Sequence, residues 1–520
     1  MKSFSAFILD PLVALNEQNL AEDSLSAQYP SLPSYLCMPS VSEPEKEFDV
    51  LLRSKPKDEE VASWRMLLVR RCQRMVIKDC KDAVSLAESA KNNEVSLCKD
   101  LTKDDSWPTE TTTRKFKGSL AREKRALKRK GSEESEINIG AISPRKKQRS
   151  DIQTALSTSC SHLFHWVDKA VATIDKILIV AGEFIDRAQF LDILQNIEDW
   201  IIHIVDGNHT LRKEAWRSTA DMNGHDLHMS DAHLPSTSAL PETFPTASQP
   251  VPEINPALAI ARNPYSNSEA RQLIATYNAP LIITHSMTQW PAMSRWKSPA
   301  YWYRKTVGGR RVIPIELGHK YTDEKWSIEF MTFDQFLQHH MLRRAHVHEQ
   351  AEITMAYLAQ HDIFAQIPSL QRDITIPDEC YTPIPKSYID PPHLLNSASQ
   401  RPGDDVEKNI WMGPAGTISP LHYDPYHNVL CQVVGTKYIR LYAPDQTPSL
   451  YPHKEGLMQN TSQVDVEASQ RYLDSKFPMF KRAKYVEGYL RAGEMLWLPK
   501  GWWHYVRSVE AGISLSFWWS

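Results

Sequence analysis

The chain has 520 residues, enough for two or more domains with cores of their own. Its 60 basic and 63 acidic side chains leave a net charge of -3 and a pI near 6.7, so no whole-chain field draws it to nucleic acid or an anionic surface. The seven cysteines, at positions 37, 72, 80, 98, 160, 380 and 431, show no Cys-x-x-Cys spacing, and the odd count fits reduced thiols in an intracellular compartment, not a disulfide framework or zinc cluster.

Met1 to Asp10 combines no basic segment with an apolar run, so no secretory leader is expected. Residues 1–113 read as an N-terminal helical region. After a polar, proline-bearing start, apolar side chains recur at three- and four-residue steps from Glu59 to Cys80 and on through Ala83 to Ala87. Their charged faces are solvated surface, and no catalytic constellation stands among them. Residues 114–150 change character. Two basic clusters, Arg122 to Lys130 and Pro144 to Arg149, flank a spacer of Gly, Ser, Glu and Asn, with too few large apolar residues for a core. Such a disordered linker reads as a bipartite nuclear-import signal, with the import machinery as partner and a nuclear or shared nuclear and cytoplasmic location. A plain solvated linker and a direct nucleic-acid patch are the alternatives.

Residues 151–217 form a second helical block. The runs from His165 and from Phe190 carry aliphatic stripes that need a partner, which the first block can provide. The longest apolar run, Ile177 to Gly182, lies between Lys176 and Glu183 and is too short to span a bilayer, so no membrane role is expected. Residues 218–255 are a Ser, Pro and Thr-rich linker whose His225, His228 and His233 receive no function.

From 256 to 520 the pattern turns to short strands. Ala279 to His285 reads as a strand, a helical stretch starts at Met293, and alternating aliphatics place Glu316 on a strand within Gly309 to Gly318. Met331 to Met341 reads as a helix. His339, His340, His346 and His348 sit among Arg343, Arg344 and Glu349, which favours an exposed loop over a metal site.

The chemistry concentrates near the C-terminus. His422-Tyr-Asp424 puts an imidazole and a carboxylate two residues apart, on one face of an extended strand, where both can grip one ion. About one such tripeptide is expected by chance in a chain this long, and this chain has one. A third ligand is available 82 positions on, at His504, where Pro499-Lys-Gly501 turns the chain into an aromatic and β-branched run. Two histidines and a carboxylate on one face leave open positions that suit Fe(II), while zinc in a cupin is an alternative. Lys437 follows a Gly435-Thr436 turn inside another strand-like run. It either faces inward to meet an anion or lies on the outer face of an amphipathic strand.

The run Trp411-Met-Gly-Pro-Ala-Gly-Thr-Ile-Ser419-Pro-Leu-His422-Tyr-Asp424, then Gly-Thr-Lys437-Tyr-Ile-Arg-Leu-Tyr, Asn460-Thr-Ser-Gln-Val-Asp-Val-Glu and Ser516-Phe-Trp-Trp-Ser520, resembles the JmjC oxygenases, nearest to the lysine-specific demethylase 8 type. The resemblance covers roughly residues 250 to 520. It implies an α+β chain whose C-terminal domain is a double-stranded β-helix of the cupin, jelly-roll kind, preceded by helices. It also implies Fe(II), 2-oxoglutarate and O₂, with iron on His422, Asp424 and His504, the distal carboxylate of 2-oxoglutarate on Lys437, and Tyr357, Ser419 and Asn428 around the cosubstrate. Glu316 and Trp411 then line the substrate pocket, and Trp502, Trp503, Trp518 and Trp519 are further candidate walls, ordinary core packing being the alternative for each. Tyr423, Tyr426 and His427 depart from the glutamines of animal relatives, and Leu342 to Ile353 is longer, departures that bear on substrate choice. A carboxylate at 316 suits a guanidinium, so the expected reaction is hydroxylation of peptidyl arginine in a histone or other nuclear protein. The alternatives are demethylation of methyl-lysine and, in another class, a catalytically inactive chromatin-associated binding module.

Overall fold

Side-chain alternation with a period of two builds most of the C-terminal half. A computed structural model describes residues 167–179, 187–207, 240–246, 253–263, 267–277, 279–342, 355–384, 390–394, 406–454 and 458–520. Among these, the strands are β1 (Arg262–Asn263), β2 (Leu281–Ile283), β3 (Val312–Leu317), β4 (Ser327–Thr332), β5 (Ala356–His361), β6 (Glu407–Gly413) and β7 (Ile418–Tyr423). They continue as β8 (His427–Val434), β9 (Thr436–Tyr442), β10 (Tyr485–Arg491), β11 (Met495–Leu498), β12 (Trp503–Ser508) and β13 (Gly512–Trp519). They form a nine-stranded sheet, β1-β2-β11-β8-β13-β6-β5-β3-β4, and a four-stranded sheet, β10-β9-β12-β7. This is the cupin-type β-helix expected from the sequence.

The central strands β8, β11, β12 and β13 bury both faces, and parity sorts the side chains. β8 sends Val429, Cys431 and Val433 outward into one core while Leu430 joins an inner cluster. In β11, Met495 and Trp497 go outward and Leu496 and Leu498 inward. On the small sheet, Tyr438 and Tyr442 of β9 and Trp503 and Tyr505 of β12 face outward, while Ile439, Leu441 and Val506 meet the large sheet. Strands covered on both sides need no polar face, which is why β8 is buried at seven of its eight positions.

Helices cover the outer face of the large sheet. Trp302 of the helix Pro299–Lys305 stacks on Phe333 at 5.7 Å. The helix expected from Met331 starts two residues later: Met331 and Thr332 finish β4, and Thr332 caps Phe333–Phe336 by a reciprocal pair of hydrogen bonds with Gln335. His339 and His340 follow on the turn Leu337–Met341, whereas His346 and His348 lie outside the described residues.

Two upstream helices, α1 (167–179) and α2 (Arg187–Gly207), bury the stripes read from the sequence, with Val171, Ile174, Ile177 and Leu178 on one and Phe190, Ile193, Leu194 and Ile197 on the other. The first helical block, the basic clusters, the linker residues 218–239 with their histidines, and the stretch 343–354 lie outside the described residues. Among the described residues, α1 is fastened to the catalytic half by buried ion pairs, Asp168 Oδ1 with Arg310 Nε at 2.7 Å and Asp175 Oδ1 with Arg311 Nη2 at 2.7 Å. No helix among the described residues is long and apolar enough to cross a membrane.

The β8–β9 turn depends on Gly435, whose φ is +76° and where a Cβ would stand 2.4 Å from the Ala511 carbonyl oxygen. Gly435→Ala is therefore expected to destabilise the domain by at least about 2 kcal/mol, read as a lower denaturation midpoint in urea.

Candidate active site

β12 runs antiparallel to β7, and their register sets His504 directly opposite His422. Residues paired in this way point to the same face, here the inner one. Asp424 lies just past the end of β7, where its carbonyl accepts a hydrogen bond from Gly501 N at 3.0 Å, tying the turn before β12 to the loop after β7. The three side chains meet, with one ligand atom of each within 4.8 Å of the others. His422 Nε2 stands 3.9 Å from Asp424 Oδ1, and His504 Nε2 stands 3.6 Å from Asp424 Oδ2.

Both imidazoles are oriented by backbone. His422 Nδ1 lies 2.7 Å from the Pro420 carbonyl and His504 Nδ1 3.0 Å from that of Trp502. A carbonyl only accepts, so each Nδ1 carries the proton and each Nε2 lone pair is left toward the shared space. Burial raises the Asp424 carboxyl above its ordinary range, with His422 opposing, and burial together with His422 holds His504 well below its own. Two Nε2 atoms aimed at a desolvated carboxylate are the donor set that a divalent cation relieves. Among the described residues, no other cluster of His, Cys, Asp and Glu comes together this way.

An open pocket of ≈ 440 Å³ extends from the triad between the two sheets. Lys437 lines it on the inner face of β9, which decides between the two orientations left open by the sequence. It is 3% exposed, its Nζ donates to the Tyr357 hydroxyl at 3.0 Å, and burial pulls the ammonium down to about 7. Ser419 also hydrogen-bonds Tyr357, so Lys437, Tyr357 and Ser419 form one polar group at the pocket wall. Two buried polar atoms of lining residues, Asn428 Oδ1 and Trp518 Nε1, have no partner among the described residues. A pocket with a buried ammonium, an unsatisfied indole N–H and a metal-capable triad fits a dicarboxylate that also reaches the metal.

Trp411 lines the pocket, with Nε1 donating to Ser516 Oγ at 2.8 Å and its ring 5.9 Å from Tyr357. Glu316 lies on β3 opposite Tyr357 on β5, so the two side chains share a face. Its Oε2 accepts from Trp326 Nε1 at 3.3 Å, and burial pushes the carboxyl up to about 7 against that bond. Of the other tryptophans, Trp518 lines the pocket. Trp503 packs in the outer core, Trp519 stands 5.4 Å from Trp497, and Trp502 packs against the inner cluster, so these three are packing residues. Of the three departures from the relatives, Tyr423 packs on Trp503 and His393, and His427 lies against Trp497 and Trp519. Tyr426 alone of them reaches the pocket wall, stacking on Trp518 at 5.7 Å.

The lining residues that the sequence reading passed over are the apolar Leu430, Ile439, Leu496, Leu498 and Val506, together with Ser516. A signal for them exists. Ile439 is two residues past Lys437, Val506 two past His504, Leu430 two past Asn428 and Ser516 two before Trp518, so stepping by the strand period from each polar candidate finds four of the six. Tyr321 also stands close, its ring edge-on to His422 at 6.3 Å and its hydroxyl 3.1 Å from Thr461 Oγ1.

A cupin-like domain model matches residues 267–520. The chain is 41% identical over 241 residues to lysine-specific demethylase 8 of Xenopus tropicalis, covering 46% of this chain and 48% of that protein. It is 39% identical over 241 residues to lysine-specific demethylase JMJ30 of Arabidopsis thaliana, covering 46% and 50%. It is 34% identical over 339 residues to Jumonji C domain-containing protein 5 of Drosophila melanogaster, covering 65% and 73%. The chain thus spans about half the length of the first two relatives and nearly three quarters of the third. Fold and site together define a cupin-like domain built around a two-histidine, one-carboxylate cluster. The chain belongs to the JmjC oxygenase family, whose members use Fe(II) and 2-oxoglutarate.

One divalent ion per chain is expected to bind at the triad. Titration with Mn(II), followed by the ion's electron paramagnetic resonance signal, should show His422→Ala and His504→Ala each weakening binding more than roughly 100-fold, beyond the usual cost of losing an outer-shell partner.

Proposed function

We propose that the chain is an Fe(II)- and 2-oxoglutarate-dependent protein oxygenase that hydroxylates arginine side chains of a peptide substrate. His422 and His504 would hold the iron through Nε2 and Asp424 through a carboxylate oxygen. With iron and 2-oxoglutarate bound, O₂ supplies the oxidising power and 2-oxoglutarate leaves as succinate and CO₂. Lys437 pairs with the distal carboxylate, Tyr357 and Ser419 steady that pair, and Asn428 and the Trp518 indole N–H line the wall beside it. Leu430, Ile439, Leu496, Leu498 and Val506 keep water from the pocket floor, and Trp411 and Trp518 wall it. The carrying observation is the buried Lys437, whose one hydrogen bond among the described residues is to a neutral hydroxyl, sharing a pocket with the triad. An ammonium placed there without an anion is costly, and a dicarboxylate relieves it.

Glu316 supports arginine as the target. Its partly buried carboxylate has one neutral partner, the Trp326 indole, and a guanidinium satisfies both oxygens at once. A nuclear protein, a histone among the possibilities, is the substrate class that the basic linker favours. Methyl-lysine demethylation is the second reading. The names of the frog and Arabidopsis relatives favour it, and the faces of Trp411 and Trp518 suit a methylated ammonium.

Succinate formation with Fe(II), ascorbate and arginine-bearing peptides from a nuclear extract should require His422 and rise with peptide. Mass spectrometry should then find one added oxygen on arginine. Formaldehyde from methylated histone peptides with no oxidised arginine would overturn the arginine reading in favour of demethylation, and bound iron without turnover would leave a binding module.

Proton linkage gives a separate test. In the free protein Lys437 loses its proton near pH 7, and the bound carboxylate requires the charged form. Cosubstrate affinity is therefore complete below pH 7 and falls as pH rises, by up to about tenfold per pH unit. Calorimetric titration of the Mn(II)-loaded protein at pH 6.5, 7.5 and 8.5 checks this against Lys437→Arg, whose permanent charge should flatten the profile.

A further inference from the structure

The ion pairs beneath α1 lie at one end of the strand pair that carries Glu316 and Tyr357. β3 and β5 have little ladder of their own: they pair at Glu316 with Tyr357 and at Leu317 with Ala356. On its other side β5 pairs β6 irregularly between Leu358 and His361, where Gln360 has a φ of 47°, a left-handed conformation disfavoured for any side chain but glycine's. β3 is laddered to β4 throughout and β5 is paired to β6 at His361, but between β3 and β5 themselves something other than a ladder must join the Val312 and His361 ends.

A hydrogen-bonded network does so, and its first member comes from outside the β-helix. Asp175, fully buried on α1, takes Arg311 Nε at 2.9 Å and 3.0 Å and Arg311 Nη2 at 2.7 Å. Its Oδ2 also accepts from the backbone N of Val312, the first residue of β3, at 2.8 Å. Arg311 Nη2 passes on to the Gln366 carbonyl at 2.7 Å, and Gln366 Nε2 donates to the Val312 carbonyl at 2.6 Å. The amide oxygen of Gln366 then lies 2.8 Å from Nε2 of His361, the last residue of β5. Because Nε2 of Gln366 is the donor to Val312, its oxygen accepts, so His361 Nε2 carries the proton. One carboxylate on α1 thus joins the start of β3 to the end of β5.

We propose that Asp175 is a positioning residue for the cosubstrate and substrate subsites, and that α1 is a working part of the catalytic unit. The role rests on the reading of Tyr357, Lys437 and Glu316 given above. Asp175 acts on Tyr357 and Glu316 through strand geometry and touches neither metal nor substrate. His422 and His504 belong to β7 and β12 of the small sheet, and Asp424 follows β7. Tyr357 and Glu316 belong to β5 and β3 of the large sheet, inside its edge strand β4. Lys437 lies on β9 with the metal ligands, so loosening the network lowers cosubstrate affinity through Tyr357 while leaving metal affinity in place, which a general loss of stability does not do.

The test uses the full chain loaded with Mn(II), with 2-oxoglutarate titrated by calorimetry into wild type, Asp175→Asn and Arg311→Lys. Asp175→Asn keeps the shape and removes the charge that balances buried Arg311, while Arg311→Lys loses the fork that reaches Asp175 and Gln366 together. The expected result is Mn(II) affinity within about twofold of wild type in both variants, with 2-oxoglutarate bound roughly tenfold more weakly by Asp175→Asn and severalfold more weakly by Arg311→Lys. If circular dichroism shows Asp175→Asn unfolded, Arg311→Lys decides. Wild-type affinity for 2-oxoglutarate in the folded variants overturns the proposal even if their melting temperatures fall, since α1 is then a brace for stability alone. Wild type that binds Mn(II) but no 2-oxoglutarate overturns the cosubstrate reading and this proposal with it, whereas unchanged variants beside a binding wild type overturn this proposal only.

Discussion

A single cross-strand register governs the site: His504 lies opposite His422 because β12 pairs antiparallel with β7. A slip of one residue would turn both imidazoles to the outer face, where Trp503, Tyr505, Leu421 and Tyr423 now pack. The register is protected from both sides. The outer aromatics would be forced into the pocket by a slip, and Gly501 N on the Asp424 carbonyl locks the connecting turns. The same parity places Lys437, Ile439 and Val506 inside, so ligand set, ammonium and apolar floor follow from one pairing pattern.

Buried charge separates what is structural from what waits for a ligand. Arg311 and Asp175 are each buried, and each is satisfied by the other and by backbone groups, so that pair is complete within the protein. Lys437 is as deeply buried, yet the Tyr357 hydroxyl is the partner of its Nζ, and Glu316 has an indole N–H where a cation would suit it. Folding tolerates such groups only where something else gains from them. Both meet at Tyr357, which pairs with Glu316 across β3 and β5 and takes the hydrogen bond of Lys437 Nζ on its hydroxyl.

Much of the site was legible in the sequence because its polar members obey short-range rules. The His-x-Asp spacing, the Pro-Lys-Gly turn before His504 and the Gly435-Thr436 turn before Lys437 are local, and the structure brings the residues they flank together. The apolar lining was legible in principle by strand parity from those same residues. The tryptophans were not: five look alike in sequence, and Trp411 and Trp518 reach the pocket while Trp502, Trp503 and Trp519 pack elsewhere. Likewise Tyr423 and His427, conspicuous against the glutamines of relatives, turn out to pack against neighbouring rings, because which face of a fully buried strand is the pocket depends on the sheet across from it.

Spacing alone determined that an imidazole and a carboxylate share a strand face, that helices precede a β-rich half, and that a histidine far along the chain has a turn and strand to carry it. These follow from periods of two and 3.6 residues, which are properties of the local backbone. Which histidine completes the triad, which side of β9 is inside, and that α1 places its carboxylate on Arg311 at the start of β3 were decided by tertiary structure. Each depends on contacts between segments far apart in sequence, 82 residues from His422 to His504 and 136 from Asp175 to Arg311, and no local preference encodes a distance of that kind.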